Sequence, residues 1–248
     1  MMSKLLSLVA CSLLTHPMEL SAETGALYDR VQLNWDTMRI KFYGEARKSD
    51  SVQEAERMAV KEGISYIVEA IPAIRLATLE GGLVSKRSSA DIAKKVSTKT
   101  YSQKTTYFSD GRVRVDLESS LPNALAPEGV DFAKDEPDEE MGHATGLQIS
   151  LKAPMDPQIM FEVQDEDGDS LYRLKDVAKS EFSKNFMGRF FQSVDRSKIK
   201  YFIGAKPLKI NGKLKGDRVI VVSSDAWESL LKDNYGILER AKVAVVSR

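Results

Sequence analysis

The sequence predicts an α+β protein of two small modules, each a mostly antiparallel sheet packed by one or two helices. Three observations carry that expectation. Apolar residues alternate with polar ones in several short runs, the period of a strand with one buried face. One long segment instead repeats small and apolar residues every fourth position, the stripe of a packed helix. Between two such groups of elements lies a stretch of prolines and carboxylates with neither rhythm.

The elements follow in order. A polar lead-in to Asn34 precedes "WDTMRIKFYGEA", where Met38, Ile40 and Phe42 face one way and Arg39 and Lys41 the other; Gly44 is expected to end this strand. Ser51-Val52-Gln53-Glu54 has the form of a capping box, in which a hydroxyl and a carboxylate satisfy the orphan amides of a helix start. Ala55, Ala59, Gly63, Ile67 and Ile71 then form the stripe, and the small residues at its start let the helix lie close to a sheet. Pro72 is expected to end or kink it. A minor helix is expected over 90–96. "TKTYSQKTTYFSDGRVRVDLESSL" reads as a hairpin turning at Ser109-Asp110-Gly111, with Val113, Val115 and Leu117 on the buried face of the return strand.

From Pro122 to Ala144 the pattern dissolves, and five carboxylates fall between Asp135 and Glu140. Such a run is expected to be a solvated linker. Beyond it, Leu147, Ile149 and Leu151 alternate, as do Ile159, Phe161 and Val163. Leu174, Val177, Ala178, Phe182, Phe186 and Phe190 read as one helical stripe. "PLKIN" and "RVIVVS" pair around a turn at 212–216, a short helix carries Trp227 and Leu230, and "AKVAVVSR" reads as an interior strand. The expected organisation is a signal peptide over 1–22, a strand–helix–hairpin domain over 23–121, an acidic, proline-bearing linker over 122–145, and an α+β domain over 146–248.

The stretch "KLLSLVACSLLTHPMELSA" bears on where the chain works. Lys4 supplies a positive start, and the apolar run to Leu14 is too short for a bilayer core that needs about 20 apolar residues. It has the layout of a secretory signal cut after Ala22. Leu8-Val9-Ala10-Cys11 also fits a lipobox, which would make Cys11 a lipidation site and the first mature residue. Its apolar segment would then be shorter than the roughly 7–15 residues usual for a signal. A buried N-terminal helix is the third alternative, disfavoured by His16-Pro17. The expected location is the periplasm, or the outer membrane if Cys11 is acylated, with membrane contact only through that anchor.

Charge and side-chain chemistry exclude more than they assign. Thirty-six basic and thirty-six acidic residues cancel, so the excess positive charge that nucleic acid requires is missing. Cys11 is the sole cysteine, so if it leaves with the signal or carries lipid the mature chain has no disulfide and no thiolate metal site. "DEDGD" at Asp165 to Asp169 has glycine fourth rather than sixth and Asp176 at position twelve, so a calcium-binding loop is a poorer account than an acidic hairpin turn. His143 stands alone in a loop after His16 is removed, no "GxSxG" element presents a serine, and no phosphate-binding glycine loop occurs. Glu45, Glu62 and Glu69 read as surface charges. Trp35, Tyr43, Tyr66, Tyr101 and Tyr107 could line a groove for a glycan or peptide, or serve as core and cross-strand pairs. No catalytic residue, cofactor or metal ligand is expected.

The order of an export signal, "WDTMRIKFYGEA", "AERMAVKEGISYIVEAI" and the "YFSDGRVRVDLE" hairpin resembles the bacterial envelope domain shared by small membrane-associated lipoproteins and flagellar assembly protein T-like domains. Ala55, Ala59 and Gly63 match its alanine-rich helix. Asp165 to Gly168, Ser223 to Ala226 and Lys242 to Val246 resemble turn, helix and final-strand motifs of a C-terminal module found behind such domains. The resemblance implies a non-catalytic envelope protein, a scaffold or assembly factor working through contacts with other envelope proteins, with the flagellum as one setting. The alternative is a periplasmic module that binds a cell-wall glycan or peptide.

Overall fold

The computed structural model describes residues 25–28, 30–47, 51–78, 89–127 and 129–247. Cys11, His16 and Ala22 lie outside the described residues. The architecture is α+β, two sheet-and-helix modules, as the alternation of rhythms implies.

The N-terminal module contains β1 (Gly25–Tyr28), β2 (Val31–Asn34), β3 (Arg39–Ala46), α1 (Val52–Thr78), α2 (Ser89–Thr98), β4 (Tyr101–Tyr107), β5 (Val113–Ser120) and α3 (Leu121–Leu125). Its sheet has the order β1-β2-β3-β5-β4, antiparallel throughout. The lead-in expected to be irregular thus holds two strands. β2 offers only Val31 and Leu33 as an alternating pair, too few to register as a period.

Gly44 does not end β3, which continues to Ala46. The glycine marks where α1 crosses the strand. A Cβ on Gly44 would lie 1.9 Å from the Ala59 carbonyl oxygen and 2.4 Å from the Gly63 nitrogen. A Cβ on Gly63 would come within 2.9 Å of the Gly44 nitrogen. Helix and strand therefore meet backbone to backbone, which the small stripe residues permit. Ala55, Ala59, Ile67 and Ile71 are all buried, and α1 runs through Pro72. Half of the expected capping box forms: the Glu54 amide donates to Ser51 Oγ at 3.1 Å. The Glu54 carboxylate turns instead to Arg57.

The C-terminal module contains β6 (Gly146–Leu151), β7 (Glu162–Gln164), β8 (Ser170–Tyr172), α4 (Lys179–Asn185), β9 (Arg189–Gln192), α5 (Arg196–Ile203), β10 (Pro207–Lys215), β11 (Val219–Val221), α6 (Ser224–Leu231), α7 (Gly236–Glu239) and β12 (Val243–Ser247). Its sheet has the order β8-β7-β11-β10-β6-β12-β9. It is mixed: β6 runs parallel to β10 and β12, β12 to β9, and β11 to β7, while β10–β11 and β7–β8 are antiparallel. Parallel neighbours need crossover connections, and here each runs through several elements, with α5 lying between β9 and β10 in the chain and the α6–α7 pair between β11 and β12. The stripe from Leu174 to Phe190 is broken into a 3-10 turn at Leu174–Asp176, then α4, then β9. Phe186 ends the helix with φ at 54°, and Phe190 belongs to a strand.

Opposite faces of β12 feed separate clusters. Val243 and Val245 join the main core, and Ala244 and Val246 pack with Phe191, Ile199, Phe202 and Ile203 beneath α5. The main core is continuous across both modules. Trp35, fully buried, stands 6.1 Å from the Phe186 ring, and Phe132 stands 5.2 Å from Phe182. Arg189 Nη1 donates to the Asp36 carbonyl at 3.0 Å, and Lys198 pairs with the Asp36 carboxylate at 2.7 Å. Burial pulls the Arg189 pKa down to about 10, so it remains a cation at neutral pH.

Residues 129–145 are tied to the C-terminal module. The amides of Lys179 and Ser180 donate to the carbonyls of Lys134 and Asp135 at 3.1 and 3.0 Å. The amides of Asp138 and Glu139 both donate to Glu239 Oε2 at 2.8 Å, and Lys134 pairs with the same carboxylate. Asn234 Oδ1 accepts from the amides of His143 and Ala144, each at 3.1 Å.

Candidate functional site

In the N-terminal sheet one face is spoken for. Ile40, Phe42, Val113, Val115 and Leu117 point toward α1 and are buried. The alternate positions project from the opposite face: Arg39, Lys41, Tyr43 and Glu45 from β3, Arg114, Asp116 and Glu118 from β5. Cross-strand register brings Tyr43 opposite Asp116, Glu45 opposite Arg114 and Lys41 opposite Glu118. Edge strand β4 adds Tyr101 opposite Glu118 and Lys104 opposite Asp116, beside a register shift. Alternation alone therefore sorts these side chains onto one polar surface.

The centre of that surface is a stack of aromatic and cationic groups. The Arg114 guanidinium carbon sits 3.6 Å from the Tyr43 ring centroid, close enough for a cation–π contact of roughly 0.5–1 kcal/mol. Arg30 approaches Tyr43 at 5.4 Å and Tyr66 of α1 at 5.1 Å. Arg114 Nε also donates to Asp116 Oδ1 at 2.8 Å, which fixes the plane of the fork. Tyr101 donates its hydroxyl proton to Glu118 Oε1 at 2.8 Å, and that carboxylate holds the phenol above its ordinary pKa. A groove of about 320 Å³ runs through these residues, lined by Gln32, Lys41, Tyr43, Lys104, Arg114 and Glu118 among others.

The rim is braced from α1. Strand β2 starts at Val31, paired with Phe42, so the last residues of β3 lack a partner on that side. Glu62 fills the gap: its Oε2 accepts the Glu45 amide at 3.0 Å and its Oε1 pairs with Arg30. One carboxylate thus satisfies a strand edge and positions the arginine over Tyr43. Glu45 itself faces Arg112 at 3.4 Å.

The five aromatics considered from the sequence do not share a groove between sheet and helices. Trp35 is core. Tyr43 is central to the outer face, and Tyr101 lies at its edge. Tyr107 donates to Glu56 of α1 on the opposite side. His143 is exposed, held by its backbone. The segment Asp165 to Asp169 forms the acidic hairpin turn: Asp165 Oδ1 accepts the amides of Asp167 and Asp169 at 3.1 and 2.8 Å, and Gly168 takes φ at 93°. Among the described residues no cluster of histidine, cysteine and carboxylate side chains could hold a metal, and no helix is long and apolar enough to cross a membrane. Arg114 was legible as a polar position in the alternation of β5, while Arg30, in the turn before β2, carried no periodic signal; only tertiary contacts bring both to one tyrosine.

No protein-family model matches this chain, and no curated protein matches it. Its functional assignment therefore rests on the open sheet face.

Proposed function

We propose that the chain is an exported, non-catalytic protein of the cell envelope that acts as a scaffold or assembly factor through protein–protein contacts. The observation that supports this reading is the outer face of the N-terminal sheet, uncovered by any described element, where Arg114 and Arg30 both approach the Tyr43 ring. Tyrosine and arginine are among the side chains enriched where partners dock, since both cover a large area and end in directional donors. Here the arginines are already ordered by Glu62 and Asp116, so little side-chain freedom remains to be lost on binding. Export is supported by the sequence of the first twenty-two residues, and the surroundings of Cys11 keep a lipid anchor within the proposal. Periplasmic location, envelope partners and a flagellar setting belong to the same reading.

The test is a double substitution, Tyr43→Ala with Arg114→Ala, in the full-length protein in its native cells. Both side chains are partly exposed, so the melting temperature is expected to fall by only a few degrees while the protein leaves its envelope complex and runs at its own size. A variant that stays folded and keeps an unchanged complex would remove the outer face from the account. Mass measurement of the mature N-terminus accompanies it: diacylglycerol on Cys11 or a free amine at Glu23 agrees with export, and an intact Met1 terminus in the cytosol contradicts it.

A further inference from the structure

The second module carries an open groove of a different character. Helix α5 packs over β9 and β12 and touches β6, and beside it no described element covers the outer face of β6 and β10. Arg196, Ile199, Lys200 and Ile203, at spacings of three and four, form the wall that α5 presents. Gln148 and Ser150 of β6 and Lys209 of β10 form the floor, and the volume is about 600 Å³. The two walls meet near the β6 start, where Gly146 comes within van der Waals range of Ile203: a Cβ there would lie 2.6 Å from the Ile203 Cβ.

Three cations line this groove, and no carboxylate does among the described residues. Asp195, the nearest acid along the helix, lies by Lys198 at 3.9 Å. Arg196, Lys200 and Lys209 are exposed and form no ion pair with any acid among the described residues, in a chain whose total charge is balanced. The neutral groups add donors. Gln148 Nε2 donates to Ser150 Oγ at 3.1 Å, which leaves the Ser150 hydroxyl proton free for an acceptor in the groove. Ser193 supplies another hydroxyl. Ile199, Ile203, Leu151 and Val246 give the groove an apolar flank.

We propose that the groove between α5 and the open face of β6 and β10 binds a phosphorylated small molecule through Arg196, Lys200 and Lys209. A phosphate monoester brings close to two negative charges and three acceptor oxygens on one centre, which suits a lining of donors. A single carboxylate brings one charge and two oxygens and leaves the cations uncompensated. The apolar flank accepts the body of the ester. The phosphate could belong to a soluble ester or to a lipid headgroup. This site is on the other module from the tyrosine–arginine surface, and its success or failure is independent of the scaffold reading.

Calorimetry on the full-length protein at about 0.15 M salt tests the proposal with pyrophosphate, glucose 1-phosphate, glucose and succinate, alongside sedimentation with phosphatidic acid-containing and pure phosphatidylcholine vesicles. Pyrophosphate is expected to bind, with glucose and succinate at least tenfold weaker. Glucose 1-phosphate binding without vesicle binding assigns a soluble ester, and selective sedimentation with phosphatidic acid assigns a headgroup. Lys200→Gln with Lys209→Gln is expected to weaken binding at least tenfold, while Lys232→Gln, outside the groove, changes nothing. Absence of binding by pyrophosphate and by vesicles would overturn the proposal. So would succinate binding as tightly as pyrophosphate, or equal binding by the double variant at an unchanged melting temperature.

Discussion

At Gly44 the absence of one methyl group sets the distance between helix and sheet. Any Cβ would press into the carbonyl of Ala59, a backbone atom that cannot swing away. Gly44→Ala is expected to cost at least the upper end of the roughly 1–3 kcal/mol typical of overpacking, read as a lowered denaturant midpoint. Glu239 makes the opposite kind of contribution. Burial pushes its carboxyl up, but Lys134 and the amides of Asp138 and Glu139 together outweigh burial and hold it below the ordinary carboxylate range. A depressed carboxylate stabilises the fold above its unfolded pKa, near 4.3, and that stability drains away as pH falls through the folded value. Glu239→Gln is therefore expected to lower stability at neutral pH by about 1–3 kcal/mol and to flatten the acid side of a stability–pH profile below about pH 4. An unchanged profile would remove the carboxylate from that role. Little of this is visible in the sequence. The small stripe of α1 was legible as a close-packing face, but that Gly44 is its counterpart, and that Glu239 gathers amides a hundred residues away, depends on contacts no local pattern encodes.

Among the elements, α1 is the one most clearly written in the chain: its stripe, its small residues and its serine cap all act where expected. Ser51→Ala is expected to cost about 1 kcal/mol, the ordinary value for losing such a cap, measurable by thermal unfolding. Segment 174–190 is the counterexample. Phe182, Phe186 and Phe190 keep a helical spacing, yet Phe186 turns the chain at φ 54° with no proline or glycine at that position to announce it. All three aromatics are buried either way, so burial of the right residues concealed a different backbone path. The hairpin at Ser109-Asp110-Gly111 was legible for the converse reason, since the turn chemistry and the alternation agree.

Across the whole molecule, Trp35 and Phe186 join two sheets into one apolar core. Trp35→Ala is expected to cost about 3–5 kcal/mol and to lower the melting of both modules together, as followed by residue-resolved hydrogen exchange. Loss of protection confined to residues 25–125 would contradict a shared core. Sheet order at this scale was beyond the sequence: β12 is the last strand of the chain and lies between β6 and β9, a choice made by long-range pairing. The outer face that carries the functional proposal was legible as polar strand positions, while the meeting of Tyr43 with Arg114 and Arg30 was not.

The central claim, that this face is where the protein meets its partners, is tested most directly by photo-crosslinking in intact cells. A photoreactive side chain is placed in turn at Lys41, Gln103 and Asp116 in the groove, and at Lys213 and Glu228 on the other module. One discrete envelope adduct from the first three positions and none from the last two is the predicted result. Adducts confined to the last two positions, or none from the groove, would contradict it.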